Sequence, residues 1–212
     1  MGIPVLYGAT YSVYTRIARL ALIEKGIEHD FEEVDIFRPG GPPAGYLDRH
    51  PFARIPAFSH DGSALYETAA IARYVDEGFA GPPLQPEDAK GCARVAQIVG
   101  ILDSYAYRPM VWDVFVERMR RVEPDEARIA AGLAAGERCL RVLDGFLDAG
   151  AWLVGSSLTL ADLHAAPMLA LFRLAPEGAA ALKRHQRIAA WWERIERRPS
   201  MQSTVPPQRP TA

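Results

Sequence analysis

Three prolines fall within five positions in the stretch Ala80-Gly81-Pro82-Pro83-Leu84-Gln85-Pro86, and the chain changes character across them. Proline lacks the backbone donor that helices and central strands require, so neither kind of element runs through this stretch. Before it the pattern is mixed. Val5-Leu6-Tyr7 reads as a short apolar strand, and residues 15–25 have helical spacing, with Ile17, Leu20 and Ala21 on one face and Gly26 where a C-cap belongs. Residues 31–36 read as a second strand and residues 38–45, rich in Gly and Pro, as loop. Residues 55–59 and 64–66 read as strands around the turn His60-Asp61-Gly62, and Thr68 opens a helix to about residue 79. The order is β-α-β, loop, β-β-α.

Beyond the prolines no strand pattern occurs. Residues 89–119 read as helix with a kink at Pro109, and residues 125–149 as a second helix led in by Pro124. Thr159-Leu160-Ala161-Asp162 has the spacing of a capping box. A last helix over residues 188–197 carries Trp191 and Trp192 and stops at Pro199, and the Pro-rich tail after Ser200 is expected to fray. The fold class is therefore α+β with two domains: an α/β domain over 1–79, a linker over 80–87, an all-α helical bundle over 88–200 and a tail over 201–212.

Composition excludes some partners. The chain has 24 Lys and Arg against 26 Asp and Glu, a net charge of -2. It lacks the basic excess that nucleic acid or an anionic membrane surface selects for. No window is apolar for the length a bilayer needs, and the start has no basic segment followed by an apolar one. Cys92 and Cys139 match no metal or redox spacing, which predicts core thiols, no metal and a reducing, cytoplasmic setting.

The residues also carry a resemblance. Tyr7-Gly8-Ala9-Thr10-Tyr11-Ser12, then Thr15-Arg16 and Glu24-Lys25-Gly26, resemble the first strand and helix of the glutathione S-transferase superfamily, nearest to its serine-type phi and theta classes and their bacterial relatives. His50-Pro51-Phe52-Ala53-Arg54-Ile55-Pro56-Ala57-Phe58 resembles the family's Asn-Pro-Phe-Gly-x-Val-Pro-Ala segment, and Leu65-Tyr66-Glu67-Thr68-Ala69-Ala70-Ile71 its Leu-x-Glu-Ser-x-x-Ile segment. The resemblance implies a thioredoxin-like first domain that binds glutathione as co-substrate, a helical second domain, and a homodimer.

It also implies roles. Ser12, at the start of the first helix, would donate to the glutathione sulfur and stabilise its thiolate; the plain reading of the same residue is a helix N-cap. Tyr7 is the rival donor, and Tyr11 and Tyr14 stand close by. Pro56 matches a cis-proline, with Ile55 pairing its backbone to the cysteinyl part of glutathione like an added strand; a trans proline on an edge strand is the alternative. Glu67 and Thr68 match the pair that holds the γ-glutamyl end, and Arg54 stands either near a glutathione carboxylate or simply in solvent. The loop of residues 39–45 lacks the cation that many relatives use for the glycyl carboxylate, leaving Arg38 and Arg49 nearby. No Cys occupies Thr10-Tyr11-Ser12, which argues against disulfide-exchange chemistry.

The function so implied is a detoxifying transferase that attacks a small hydrophobic electrophile with the glutathione thiolate. Tyr11, Tyr14, Tyr105, Trp112, Phe115 and Met119 are the candidate pocket, though ordinary core packing explains bulky residues equally well. Two alternatives stay open: a non-catalytic glutathione-binding or interaction module on the same fold, and a glutathione-dependent dehalogenase, isomerase or etherase.

Overall fold

The computed structural model describes residues 2–147 and 150–207. It divides into two compact units, Met1–Leu84 with Pro199–Pro207, and Gln85–Arg198. The expected helix end at Ala149 and residues 208–212 of the tail lie outside the described residues.

The first unit is built on a four-stranded sheet in the order β2-β1-β3-β4, from β1 (Val5–Gly8), β2 (Asp30–Glu33), β3 (Ala57–His60) and β4 (Ser63–Tyr66). β2 runs parallel to β1, while β3 and β4 are antiparallel to their neighbours. The β1–α1–β2 crossover supplies the helix that a parallel pair requires. α1 (Val13–Glu24) begins at the Ser12 N-cap and ends where Gly26, at φ 72°, takes the left-handed conformation that closes a helix. The Ile27 amide then donates to the Leu22 carbonyl and the Gly26 amide to that of Ile23, satisfying two terminal acceptors. β2 stops at Glu33, short of the expected Ile36, because its partner β1 ends at Gly8. β3 starts at Ala57, two residues after the expected start, since Pro56 has no N–H to enter the ladder.

Side chains alternate across the sheet. Leu6 and Phe58, paired in register, point to one face, where the Phe58 ring meets Tyr74 of α2 (Thr68–Gly78). Tyr7 and Ala57 point to the other, into a cluster with Ala9, Val34, Tyr46 and Ile55. Lys25, at the end of α1, makes a buried ion pair with Asp76 of α2 at 3.2 Å.

Residues 201–204, expected to belong to a frayed tail, are packed into the first unit. Pro199 opens a further short helix, α9 (Pro199–Ser203), and Met201 and Thr204 are buried against α1, where the Arg16 guanidinium donates to both.

The second unit is all helical among its described residues. α3 (Ala89–Ile101) continues through wider π-helical turns over Leu102–Ala106 and Arg108–Val116 into α4 (Glu117–Arg120). Where a kink is expected at Pro109, the chain carries these π-helical turns. Pro109 cannot donate to the Tyr105 carbonyl four residues back, and the buried Cys139 thiol donates there instead at 3.2 Å. Cys139 belongs to α5 (Glu126–Phe146), which approaches the π-helical segment closely at Gly132, where a Cβ would lie 2.8 Å from that of Asp113. α6 (Leu160–Phe172) starts at the capping box: the buried Asp162 carboxylate accepts from the Thr159 amide and hydroxyl. Asp162 also accepts from the Leu153 amide and the Trp191 indole. α7 (Pro176–Arg184), which no sequence signal used above marked, and α8 (Gln186–Ile195), carrying Trp191 and Trp192, complete the unit.

Candidate functional site

Sheet register decides what comes together. Tyr7 pairs with Ala57, and Ala57 with Tyr66. The chain leaving β1, the chain entering β3 and the chain leaving β4 therefore share one end of the sheet. These are the segments that carry Ser12, Ile55–Pro56 and Glu67–Thr68.

Ser12 is the N-cap of α1. Its Oγ accepts from the Thr15 amide at 3.2 Å, and its own amide donates to the Ala9 carbonyl at 3.0 Å. The cap reading of Ser12 is correct, and it uses the hydroxyl only as an acceptor, so the O–H can still donate. The first turn of α1 contains no acidic side chain, which leaves the positive end of the helix uncompensated by its own residues. The approach to Ser12 is pinned to the end of β2: the Thr10 amide donates to Glu33 at 3.1 Å and the Tyr11 hydroxyl to Asp35 at 2.7 Å.

Tyr7 points elsewhere. Its hydroxyl lies 3.4 Å from Ser59 Oγ, and Ser59 pairs with Val5, so the ring leans toward the start of β1 and away from Ser12. The Arg49 guanidinium stacks 4.5 Å above the Tyr7 ring, and its hydrogen bond to that residue holds its pKa above the usual value. Arg49, one of the two cations near the loop after β2, is therefore engaged with Tyr7.

The Ile55–Pro56 peptide is cis, as the resemblance implies. The segment before it is anchored by the buried Tyr46, whose hydroxyl donates to the Arg54 carbonyl at 2.7 Å and whose pKa is pushed up to about 12 by burial. The Arg54 side chain is exposed. Glu67 caps α2 at φ 70° and ψ 114°, outside the region most side chains adopt, and its side chain is exposed. Thr68, buried, is the first residue of α2, whose first turn again holds no acidic side chain.

One residue at this end escaped the sequence reading of roles. His50 is only 2% exposed, its ring 4.9 Å from that of Tyr66, and its Nδ1 is buried with no hydrogen-bond partner. Burial holds its pKa below the usual value, while Glu67 pulls it up and Arg54 pushes it down. The signal was present: His50 stands where the resembled segment has Asn.

The remaining pocket candidates differ in placement. Tyr11 and Tyr14 are half-buried in the first unit. In the second, Tyr105 is 66% exposed and Met119 also exposed, Trp112 half-buried, and Phe115 buried. Among the described residues no group of three or more His, Cys, Asp or Glu could hold a metal ion, and no helix is long and apolar enough to cross a membrane.

Comparison with known proteins bears on both units. The family model for the glutathione S-transferase N-terminal domain matches residues 11–77, and that for the C-terminal domain matches residues 101–199. The chain is 27% identical over 204 residues to glutathione S-transferase 3 of Zea mays, covering 94% of this chain and 92% of that one. It is 34% identical over 148 residues to the glutathione S-transferase-like protein LUC7 of Fusarium sp, covering 69% and 67%. A solved glutathione S-transferase from Methylobacillus flagellatus, with GSH bound, matches with a TM-score of 0.81 at 27% identity, covering 96% of this chain and 99% of that one.

Proposed function

The chain belongs to the glutathione S-transferase family, and from that premise we propose that it is a glutathione transferase using the Ser12 hydroxyl to hold the glutathione sulfur as thiolate. The observation that carries the reading is the register Tyr7–Ala57–Tyr66, which gathers Ser12, Ile55–Pro56 and Glu67–Thr68 at one end of the sheet.

Each group has a chemical task there. A free thiol with a pKa near 8.5 is only a few per cent ionised at neutral pH. Lowering it by about 2 units takes roughly 2.7 kcal/mol of preferential thiolate stabilisation. Donation from the Ser12 O–H at the positive end of α1 is a source of that stabilisation, the thiol proton passing to solvent. The backbone of Ile55 pairs with the cysteinyl residue, just beyond the last rung of the β1–β3 ladder. The Glu67 carboxylate receives the γ-glutamyl ammonium, and the hydroxyl and amide of Thr68 at the start of α2 receive its carboxylate. Arg54, with Arg38, is the cation left for the glycyl carboxylate. The thiolate then attacks a small hydrophobic electrophile, forming the carbon–sulfur bond as the leaving group departs or the electrophile accepts the electron pair. Tyr11, Tyr14, Tyr105, Trp112, Phe115 and Met119 are the proposed electrophile contacts.

The proposal extends to a cytoplasmic homodimer acting in detoxification. The two free cysteines fit a reducing compartment. Phe52, 68% exposed beside Tyr66, offers an apolar contact for a second copy.

A second reading, a glutathione-binding module without turnover, is favoured by one observation: Arg49 is drawn to Tyr7, away from the glycyl end. An ultraviolet difference titration with glutathione across pH separates the two. A thiolate band well below pH 8 together with turnover of an aryl halide supports the transferase. Binding without the band supports the module, and no binding at millimolar glutathione sinks both.

A further inference from the structure

α1 carries Arg16 one turn beyond Ser12. Positions four apart share a helix face, and the Arg16 amide donates to the Ser12 carbonyl at 2.9 Å, so the two close the same turn. The Arg16 side chain is only 5% exposed. Its Nε donates to Thr204 Oγ1 at 3.1 Å and its Nη2 to the Met201 carbonyl at 2.8 Å, with Met201 Sδ at 3.9 Å.

Every one of those acceptors is neutral. Among the described residues no nearby carboxylate serves as a counter-ion. Burial, aided by repulsion from Arg19 on the same helix, pushes the Arg16 pKa down to about 10, which leaves it protonated at neutral pH. Lys25 and Asp76 pair with each other where α1 meets α2. Glu24, at the far end of α1, is hydrogen-bonded to Ser200 of α9. Glu33 of β2 accepts from Thr10 and acts on Arg19. Burying a guanidinium without a carboxylate is costly, and folds that bury charges ordinarily pair them. Here Met201 and Thr204 take the Nε and Nη2 donors and leave the charge standing.

We propose that Arg16 is a positioning cation for the reaction, held by Met201 and Thr204 so that its uncancelled charge adds to the positive end of α1 and favours the glutathione thiolate at Ser12. The inference rests on the reading of Ser12 as the residue that meets the sulfur. A carboxylate partner would have steadied Arg16 equally well but would have cancelled the charge. A backbone carbonyl and a hydroxyl do the first without the second. The counter-charge is the ligand's own, present only while the thiolate is bound. The C-terminal segment thereby acquires a task in catalysis although it touches no substrate.

The test is the same ultraviolet titration, run on the full chain and on three variants, with turnover of an aryl halide followed across pH. Arg16→Gln keeps donors for Met201 and Thr204 and removes the charge. The bound thiol pKa should rise by about one unit, which from a wild-type value near 6.5 leaves about threefold less thiolate at pH 7, with activity recovering at alkaline pH. Arg16→Lys should keep most of the wild-type value. Thr204→Asp leaves Arg16 in place and gives it a counter-charge, so the thiol pKa should rise there too; this variant carries the test if Arg16→Gln does not fold. A wild-type protein that binds glutathione without a thiolate band overturns the reading of Ser12 and this inference with it. A normal band that persists unshifted in both Arg16→Gln and Thr204→Asp overturns this inference alone.

Discussion

The Thr15 amide donates to the Ser12 hydroxyl oxygen at 3.2 Å, so the residue that caps α1 does so with a lone pair and keeps its hydrogen for another acceptor. Cap and thiolate donor are therefore compatible in one side chain, and a single substitution separates their sizes. Ser12→Ala should lower the unfolding free energy by what an N-cap is worth, about 1 kcal/mol, seen as a modest fall in melting temperature. Turnover with glutathione and an aryl halide should fall far more, by about 10²-fold, as when one donor to a developing anion is removed. Tyr7→Phe should leave turnover near wild type, since that hydroxyl is directed to Ser59. Full activity in Ser12→Ala with loss in Tyr7→Phe would move the donor to Tyr7.

Glu67 stands at the start of α2 with its side chain in solvent. Its proposed contact, to the γ-glutamyl ammonium, is made equally in ground and transition states. Glu67→Gln should therefore raise the KM for glutathione about tenfold and leave kcat nearly unchanged. Steady-state kinetics with glutathione as the varied substrate reads this directly, and a fall in kcat at constant KM would contradict the assignment.

How much of this was legible before the structure depends on how local each feature is. The Thr159–Asp162 box and the Gly26 helix end are written in residues a few positions apart, and each was read correctly. The strand ends were not, because β2 and β3 stop where their partners or Pro56 stop them. α9 was missed for a related reason. A Pro followed by polar residues looks like a tail until Arg16, 188 positions before Thr204, is known to lie beside it. At the site, Ser12, Pro56 and Glu67 were singled out through a resemblance, since their gathering depends on sheet register and no spacing within the chain announces it. His50 was passed over because its one signal, a His where the resembled segment has Asn, says nothing of burial until Tyr66 is placed against it.

The buried pair Lys25–Asp76 joins the two helices on one face of the sheet, and Asp76 also accepts from the Leu84 amide at 2.7 Å. Lys25→Met removes one partner and leaves a buried carboxylate with the Leu84 amide but without its cation, so unfolding in denaturant should show a loss of about 3–5 kcal/mol. Replacing both, Lys25→Met with Asp76→Leu, should recover part of that loss, although the Leu84 amide then lacks its acceptor. A single Lys25→Met variant as stable as wild type would mean the pair contributes only packing.

His50 links stability and binding to pH through one buried ring. Burial holds its folded pKa below the value of about 6.5 it has in an unfolded chain. Between those two values the unfolded state binds more protons than the folded one, so stability rises with pH through that window. It is fully present above about pH 6.5 and is lost as the pH falls toward the folded value, below which the loss levels off. His50→Asn has no proton to take up. The difference in unfolding free energy between wild type and variant should therefore be constant above pH 7 and shift in the variant's favour by pH 5, as chemical denaturation at several pH values would show. Binding should follow the same curve. A protonated His50 puts a cation among Glu67, Arg54 and Tyr66, where it competes with the γ-glutamyl ammonium for the Glu67 carboxylate. The KM for glutathione should thus climb more steeply in wild type than in His50→Asn as the medium is acidified. Parallel profiles for the two proteins would show that His50 stays neutral throughout and is only a packing residue.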